Sequence, residues 1–161
     1  MLMSKSNATP PLDSPERRRL PPLLRKAWYG LNQAFRRRIK HIGATPDQYT
    51  ILRLLREGPT EGLSQRDLCR LMSSDPNTIA ALAARMEEQG IVARRADERD
   101  KRAQRVTATA KGKVVFRKLR AIALALQSEI LATLPEERRK QFLADLDAVG
   151  ESCRAMAEEE R

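Results

Sequence analysis

At Gly90 the hydrophobic period of this chain changes from about 3.6 residues to 2, within a span that few folds accommodate. Before it, Asp75-Pro76 supplies an N-cap residue and a proline at the first helical position. Ile79, Leu82, Ala83 and Met86 then form an apolar stripe, so the spacing predicts a helix from Asp75 to Gln89 with Gly90 as its cap. Asn77, Thr78, Ala81, Arg85 and Glu88 fall on the opposite face. After Gly90, residues 91–95 and 104–109 read as two short strands. Between them lie six consecutive charged residues, Asp97 to Arg102, which makes a hairpin with a charged tip.

Helices surround this unit. Ser64 caps a short helix ending near Met72, with Asp67 in the position of a capping-box acid. Upstream, Leu24, Trp28, Leu31, Phe35, Ile39 and Ile42 recur at three and four from Leu23 onward, and Gly43 stops them. Pro46-Asp47 opens the next helix, which carries Tyr49, Ile51, Leu52, Leu54 and Leu55 and stops at Gly58-Pro59. Downstream, Val114, Val115, Leu119, Ile122, Leu126, Ile130 and Leu131 form the stripe of a long helix, and Pro135 breaks it. A last helix carries Phe142, Leu143, Leu146, Val149, Cys153 and Met156. With aromatics at 4%, the core must be mainly Leu, Ala, Ile and Val. The expected class is mainly α with one small β-hairpin (α+β).

Residues 1–22, rich in proline and small polar residues, read as a flexible arm. No apolar run reaches membrane-spanning length and no signal peptide is visible, so no membrane partner is expected. Two cysteines make no disulfide framework and fit a reducing compartment, with the cytoplasm as the expected location.

The net charge of +10 is concentrated. Residues 1–40 hold ten basic and two acidic side chains, and residues 91–120 hold eleven and three. Residues 41–90 and 121–161 are net acidic. Two basic blocks point to local surfaces that meet an anion, with nucleic acid the first candidate.

A helix, a turn, a second capped helix and a hairpin form the layout of a winged helix-turn-helix. The stretch from Leu63 to Gly112 resembles the multiple antibiotic resistance regulator (MarR) family. The match is most specific in MEEQGIVARR (residues 86–95), in the wing tip Asp97, Arg99 and Asp100, and in VTATAKG (residues 106–112). The resemblance implies a dimer whose N- and C-terminal helices interlock, acting as a repressor released by a small ligand or by oxidation. It divides the chain into a winged-helix lobe at 46–112 and a dimerisation region at 23–45 and 113–158. Many relatives carry Thr-Arg where this chain has Ala80-Ala81, so direct readout loses polar donors there, although a methyl can still meet a thymine methyl.

The DNA-binding candidates are Ser73, Ser74, Asn77, Thr78, Ala81 and Arg85 on the helix-turn-helix, and Arg95, Arg99, Lys101 and Arg102 on the wing. Small polar residues reach base edges in the major groove, while wing cations meet phosphates or the minor groove. Asp97 is expected to pair with and orient Arg99, because a carboxylate facing phosphates repels unless neutralised. Arg36 to Lys40 fit either phosphate binding or a solvated helix face.

Trp28, Asn32 and Arg36 share a helical face, with His41 following, and suit an aromatic carboxylate; the alternative places Trp28 in the core. Cys69 and Cys153 read as packing residues. Thiol-sensing relatives carry their cysteine in the first helix, where this chain has none. No metal-ligand spacing, cofactor loop or catalytic constellation is present, so no cofactor and no enzymatic activity are expected.

The expected function is a homodimeric repressor on a pseudo-palindromic double-stranded site, released by a small aromatic acid. The alternatives are an architectural protein that coats DNA without sequence preference and a thiol-oxidation-responsive regulator.

Overall fold

The computed structural model of this chain describes Ser14, residues 19–97 and residues 104–159. Two compact units divide between Pro46 and Asp47.

The first unit is dominated by helix α1, Leu20–Ile39, followed by a 3-10 turn at Lys40–Ile42. The helix starts three residues earlier than the hydrophobic spacing predicts. Pro21 and Pro22 sit in its first turn, where backbone N–H groups have no helical acceptor and proline loses nothing. Gly43 ends the turn in the left-handed region, φ 72°, and donates its N–H to the Lys40 carbonyl. Of the predicted stripe, Phe35 and Ile39 are buried, whereas Trp28 is 64% exposed.

The second unit holds the remaining elements: α2 (Pro46–Glu57, from the dividing residue), β1 (Leu63–Ser64), α3 (Gln65–Met72), α4 (Pro76–Glu88), β2 (Val92–Ala96), β3 (Gln104–Ala108), α5 (Ala110–Leu131) and α6 (Glu136–Glu159). The sheet is antiparallel in the order β1-β3-β2, so the hairpin gains a third strand that the sequence reading lacks. Leu63 faces Val106, and Arg94 also faces Val106 from the other side. A two-residue strand is too short to show a period.

Gly62 makes the third strand possible. Its φ is +93°, and a Cβ there would run into the carbonyl oxygen of Val106.

Capping follows the sequence closely. Ser64 Oγ accepts the Asp67 N–H at 3.0 Å and donates to the Asp67 carboxylate at 2.7 Å, closing the first turn of α3. Asp75 caps α4 by accepting the Thr78 N–H at 2.9 Å. The core gathers Ile51, Leu52, Leu68, Ile79, Met86, Val92, Val106 and Leu119, each at most 2% exposed. Each such side chain contributes about 1.5–3 kcal/mol on burial. Tyr49 and Phe116 stack between α2 and α5, with ring centroids 5.9 Å apart.

The long helix differs from its expected face. Gly112, Phe116, Leu119 and Leu126 are the buried residues of α5, while Val114 and Ile130 are exposed. The buried face includes Gly112 because α5 begins against Ile91, where a Cβ would overlap that residue's carbonyl oxygen. In α6 no described residue is buried, although Phe142, Leu143, Leu146 and Met156 are apolar. Cys153, expected to be a packing residue, is exposed, and Cys69 is half-buried beside an exposed Leu71. Among the described residues no helix is long and apolar enough to cross a membrane.

Candidate nucleic-acid interface

Helix α4 has the two faces that its sequence implies. Ile79, Leu82, Ala83 and Met86 are buried against the lobe, and Asn77, Thr78, Ala81 and Arg85 are exposed. The turn before it has a backbone cost. Ser73 occupies the left-handed region at φ 49°, where glycine is the usual residue. Its N–H donates to Arg70 O, and the Ser74 N–H donates to Cys69 O, closing α3 at the required angle. Ser73 is exposed and Ser74 is half-buried.

Thr78 is less free than its exposure suggests. Its hydroxyl donates to Asp75 Oδ2 at 2.5 Å, in addition to the capping bond made by its N–H. With its only proton committed, the hydroxyl faces outward as an acceptor, suited to the amino groups of adenine or cytosine. These same bonds, the Thr78 hydroxyl first, hold the Asp75 carboxyl below its usual range.

The C-terminal end of α4 is built into its neighbours. Ile91 donates its N–H to Met86 O, and Gly90, at φ 70°, permits the reversal. Thr109 caps α5 by accepting the Gly112 N–H, and its hydroxyl donates to Gly90 O at 2.7 Å. Lys111 Nζ donates to Gln89 O at 2.7 Å, which sets a cation at the negative end of α4. From α2, the buried Gln48 donates its amide to Gln89 Oε1 at 2.9 Å.

On the wing, β2 and β3 place Arg95 opposite Arg105. The two guanidiniums run to the loop before β1: Arg95 Nη2 donates to Glu61 O at 3.2 Å, and Arg105 Nη1 donates to Gly62 O at 2.9 Å. Arg95 stays exposed with donors to spare.

Asp97 is 7% exposed, and Arg105 Nε meets its Oδ2 at 2.5 Å; the pairing expected with Arg99 lies outside the described residues. Arg105 is therefore a site residue that the sequence reading missed. Two arginines facing each other across a hairpin, with an aspartate two positions beyond, are the pattern that could have revealed it. Arg99, Lys101 and Arg102 lie outside the described residues.

On α1, Asn32 donates its amide to Trp28 O at 3.0 Å, and Arg36 and His41 are exposed. The exposure of Trp28 rules out the core alternative within one protomer. Among the described residues no three His, Cys, Asp or Glu side chains gather as metal ligands.

A capped helix with a small polar face, a preceding helix joined by a tight turn, and a three-stranded wing are the parts of a winged helix-turn-helix. A profile of the MarR family matches residues 42–103. The transcriptional regulator HosA of Escherichia coli is 32% identical over 126 residues, covering 75% of this chain and 92% of its own. The chain belongs to the MarR family.

Other MarR-like relatives extend the comparison. The HTH-type transcriptional repressor Rv2887 of Mycobacterium tuberculosis is 29% identical over 109 residues, or 68% of this chain and 77% of its own. Its structure in complex with p-aminosalicylic acid superposes with a TM-score of 0.66, covering 83% of this chain and 99% of that one. CouR of Rhodococcus jostii RHA1, solved bound to p-coumaroyl-CoA, is 26% identical with a TM-score of 0.70, covering 79% and 88% of the two chains. This MarR-family chain therefore shares with them a mainly helical winged-helix architecture.

Proposed function

We propose that this protein is a homodimeric, sequence-specific DNA-binding repressor of the cytoplasm, whose hold on DNA is relieved by a small aromatic acid. The observation that carries the reading is the exposed polar face of α4, presented by a helix fixed at both ends. Asn77, Thr78 and Arg85 enter a major groove, with Ser73 and Ser74 at the adjoining phosphates. Arg95, Arg99, Lys101 and Arg102 follow the backbone or the neighbouring minor groove. The names of HosA and Rv2887 support a role in transcription, and the latter supports repression.

Dimerisation rests on α6. A helix of 24 residues with no described residue buried in the protomer needs a cover for Phe142, Leu146 and Met156. A second copy supplies it through residues 23–45 and 113–158, leaving 46–112 as the DNA-binding lobe. Two-fold symmetry then gives a pseudo-palindromic site with half-sites about one helical turn apart. Trp28, Asn32, Arg36 and His41 on α1 provide a ring, an amide and cations for the effector, in keeping with the p-aminosalicylic acid bound by Rv2887.

Footprinting on the DNA flanking the protein's own coding region tests specificity and half-site spacing together. Arg95→Ala and Arg99→Ala should each weaken binding and reduce the salt slope by about 1. An unchanged slope removes the wing from the interface. The architectural reading draws on one observation, the exposed methyl of Ala81 where a polar donor would read a base. It predicts equal affinity for the footprinted fragment and for random duplex at physiological salt.

A further inference from the structure

In the first turn of α4 every backbone N–H is either missing or committed to Asp75. A helix ordinarily leaves its first four N–H groups without helical acceptors. Here Pro76 has none, and the Thr78 N–H is taken by Asp75 Oδ1 at 2.9 Å. The N–H groups of Asn77 and of Asp75 itself also hydrogen-bond the Asp75 carboxylate. The helical ladder begins at Ile79, whose N–H donates to Asp75 O at 3.2 Å.

The side chains complete the pattern. The Thr78 hydroxyl gives its proton to Asp75 Oδ2 at 2.5 Å. Both residues are exposed, so their outward lone pairs are acceptors. The same bonds, the Thr78 hydroxyl foremost, keep the Asp75 carboxyl ionised below its usual range. A helix start that would ordinarily draw an anion is thereby turned into a cluster of oxygen acceptors.

Such a cluster discriminates among bases by refusal as much as by attraction. In the major groove guanine offers O6 and N7, and thymine offers O4, all of them acceptors that repel it. Adenine's N6 amino group stands between two acceptors, its own N7 and the O4 of the paired thymine. Cytosine's N4 amino group has one such neighbour, the O6 of the paired guanine. An acceptor cluster therefore meets least opposition over cytosine.

We propose that Asp75, a residue outside the sequence-derived candidates, forms with Thr78 the specificity-determining pair of α4, accepting the N4 amino group of one cytosine in each half-site. The proposal rests on the DNA-binding reading and deepens it. Asn77 and Arg85 supply donors and attraction. Asp75 lowers affinity for every duplex through its charge, and lowers it least where cytosine stands in place.

The test selects duplexes from a random pool with the full chain and with its Asp75→Asn, Thr78→Val and Thr78→Ser variants. The natural chain should enrich a motif containing a cytosine position at which replacing C·G by T·A weakens binding about tenfold. In Asp75→Asn the side-chain oxygen still caps the helix, while the amide donates to the Thr78 hydroxyl and frees its proton. Preference for cytosine at that position should then fall close to parity, with the rest of the motif and the urea midpoint kept. Thr78→Val, matched in shape, should lose part of the preference, and Thr78→Ser should retain it. A selected motif in which no cytosine position responds to Asp75→Asn and Thr78→Val overturns the proposal and leaves the DNA-binding reading standing. So does a responding position that prefers guanine or thymine in the natural chain. A pool from which no motif emerges overturns the sequence-specific reading, and this proposal with it.

Discussion

The carboxylate of Glu87 holds Arg94 at two points. Oε1 accepts the backbone N–H at 2.9 Å, and Oε2 accepts the guanidinium from Nε at 2.8 Å and from Nη2 at 2.7 Å. One side chain in the last turn of α4 thus fixes both the path and the side chain of β2.

That clamp has a pH signature. The Arg94 guanidinium first, then its backbone N–H, hold the Glu87 carboxyl below its ordinary 4.5. A lowered folded value means that the stability is fully present above 4.5 and is lost as pH falls through the lower, folded value. Glu87→Gln should therefore unfold at lower urea than the natural chain at neutral pH, and the gap should narrow in acid. A gap independent of pH would show that the carboxylate's charge adds nothing.

Gly112→Ala should be among the most damaging single-methyl changes in the lobe. The added Cβ overlaps the Ile91 backbone, which has no side-chain torsion with which to yield. The expected loss is about 2–3 kcal/mol in denaturant unfolding. A loss under about 0.5 kcal/mol would mean that α5 can slide along Ile91 without penalty.

Ser73→Gly should stabilise the chain by about 0.5 kcal/mol, because it relieves the left-handed backbone while loosening the unfolded state. Chemical denaturation measures this. The same variant, titrated with duplex, tests the phosphate role: retained stability with weaker binding assigns the hydroxyl to DNA.

Asp75→Asn keeps a cap of similar strength and removes a negative charge beside the helix face proposed to meet DNA. Affinity for random duplex should rise severalfold at low salt and fall back as salt screens the difference. A gain that persists in high salt would point to a changed helix instead of relieved repulsion.

Much of the lobe could be read from residues with strong local preferences. Asp75-Pro76, Ser64 with Asp67, and Gly90 each mark a backbone position that few other residues satisfy, and the buried stripe of α4 follows from spacing. Less visible were features set by pairing across the chain. Leu63 and Ser64 form a strand because Val106 and Arg105 offer partners, and Arg105 matters because Asp97 folds back onto it. The stripes of α5 and α6 show that a face is apolar and leave open what covers it. For that reason Val114, Phe142 and Cys153 are exposed in the protomer, although their spacing resembles a core.

The junction where Thr109 and Lys111 grip the carbonyls of Gly90 and Gln89, just past α4, ties the start of α5 to the end of that helix. A helix of 22 residues is about 33 Å long. Tilting it by roughly 10° about its far end carries the attached end of α4 about 6 Å sideways, more than the rise of a DNA base pair. In the complex proposed above, a small angular change at Leu131 would become a change of register at the groove.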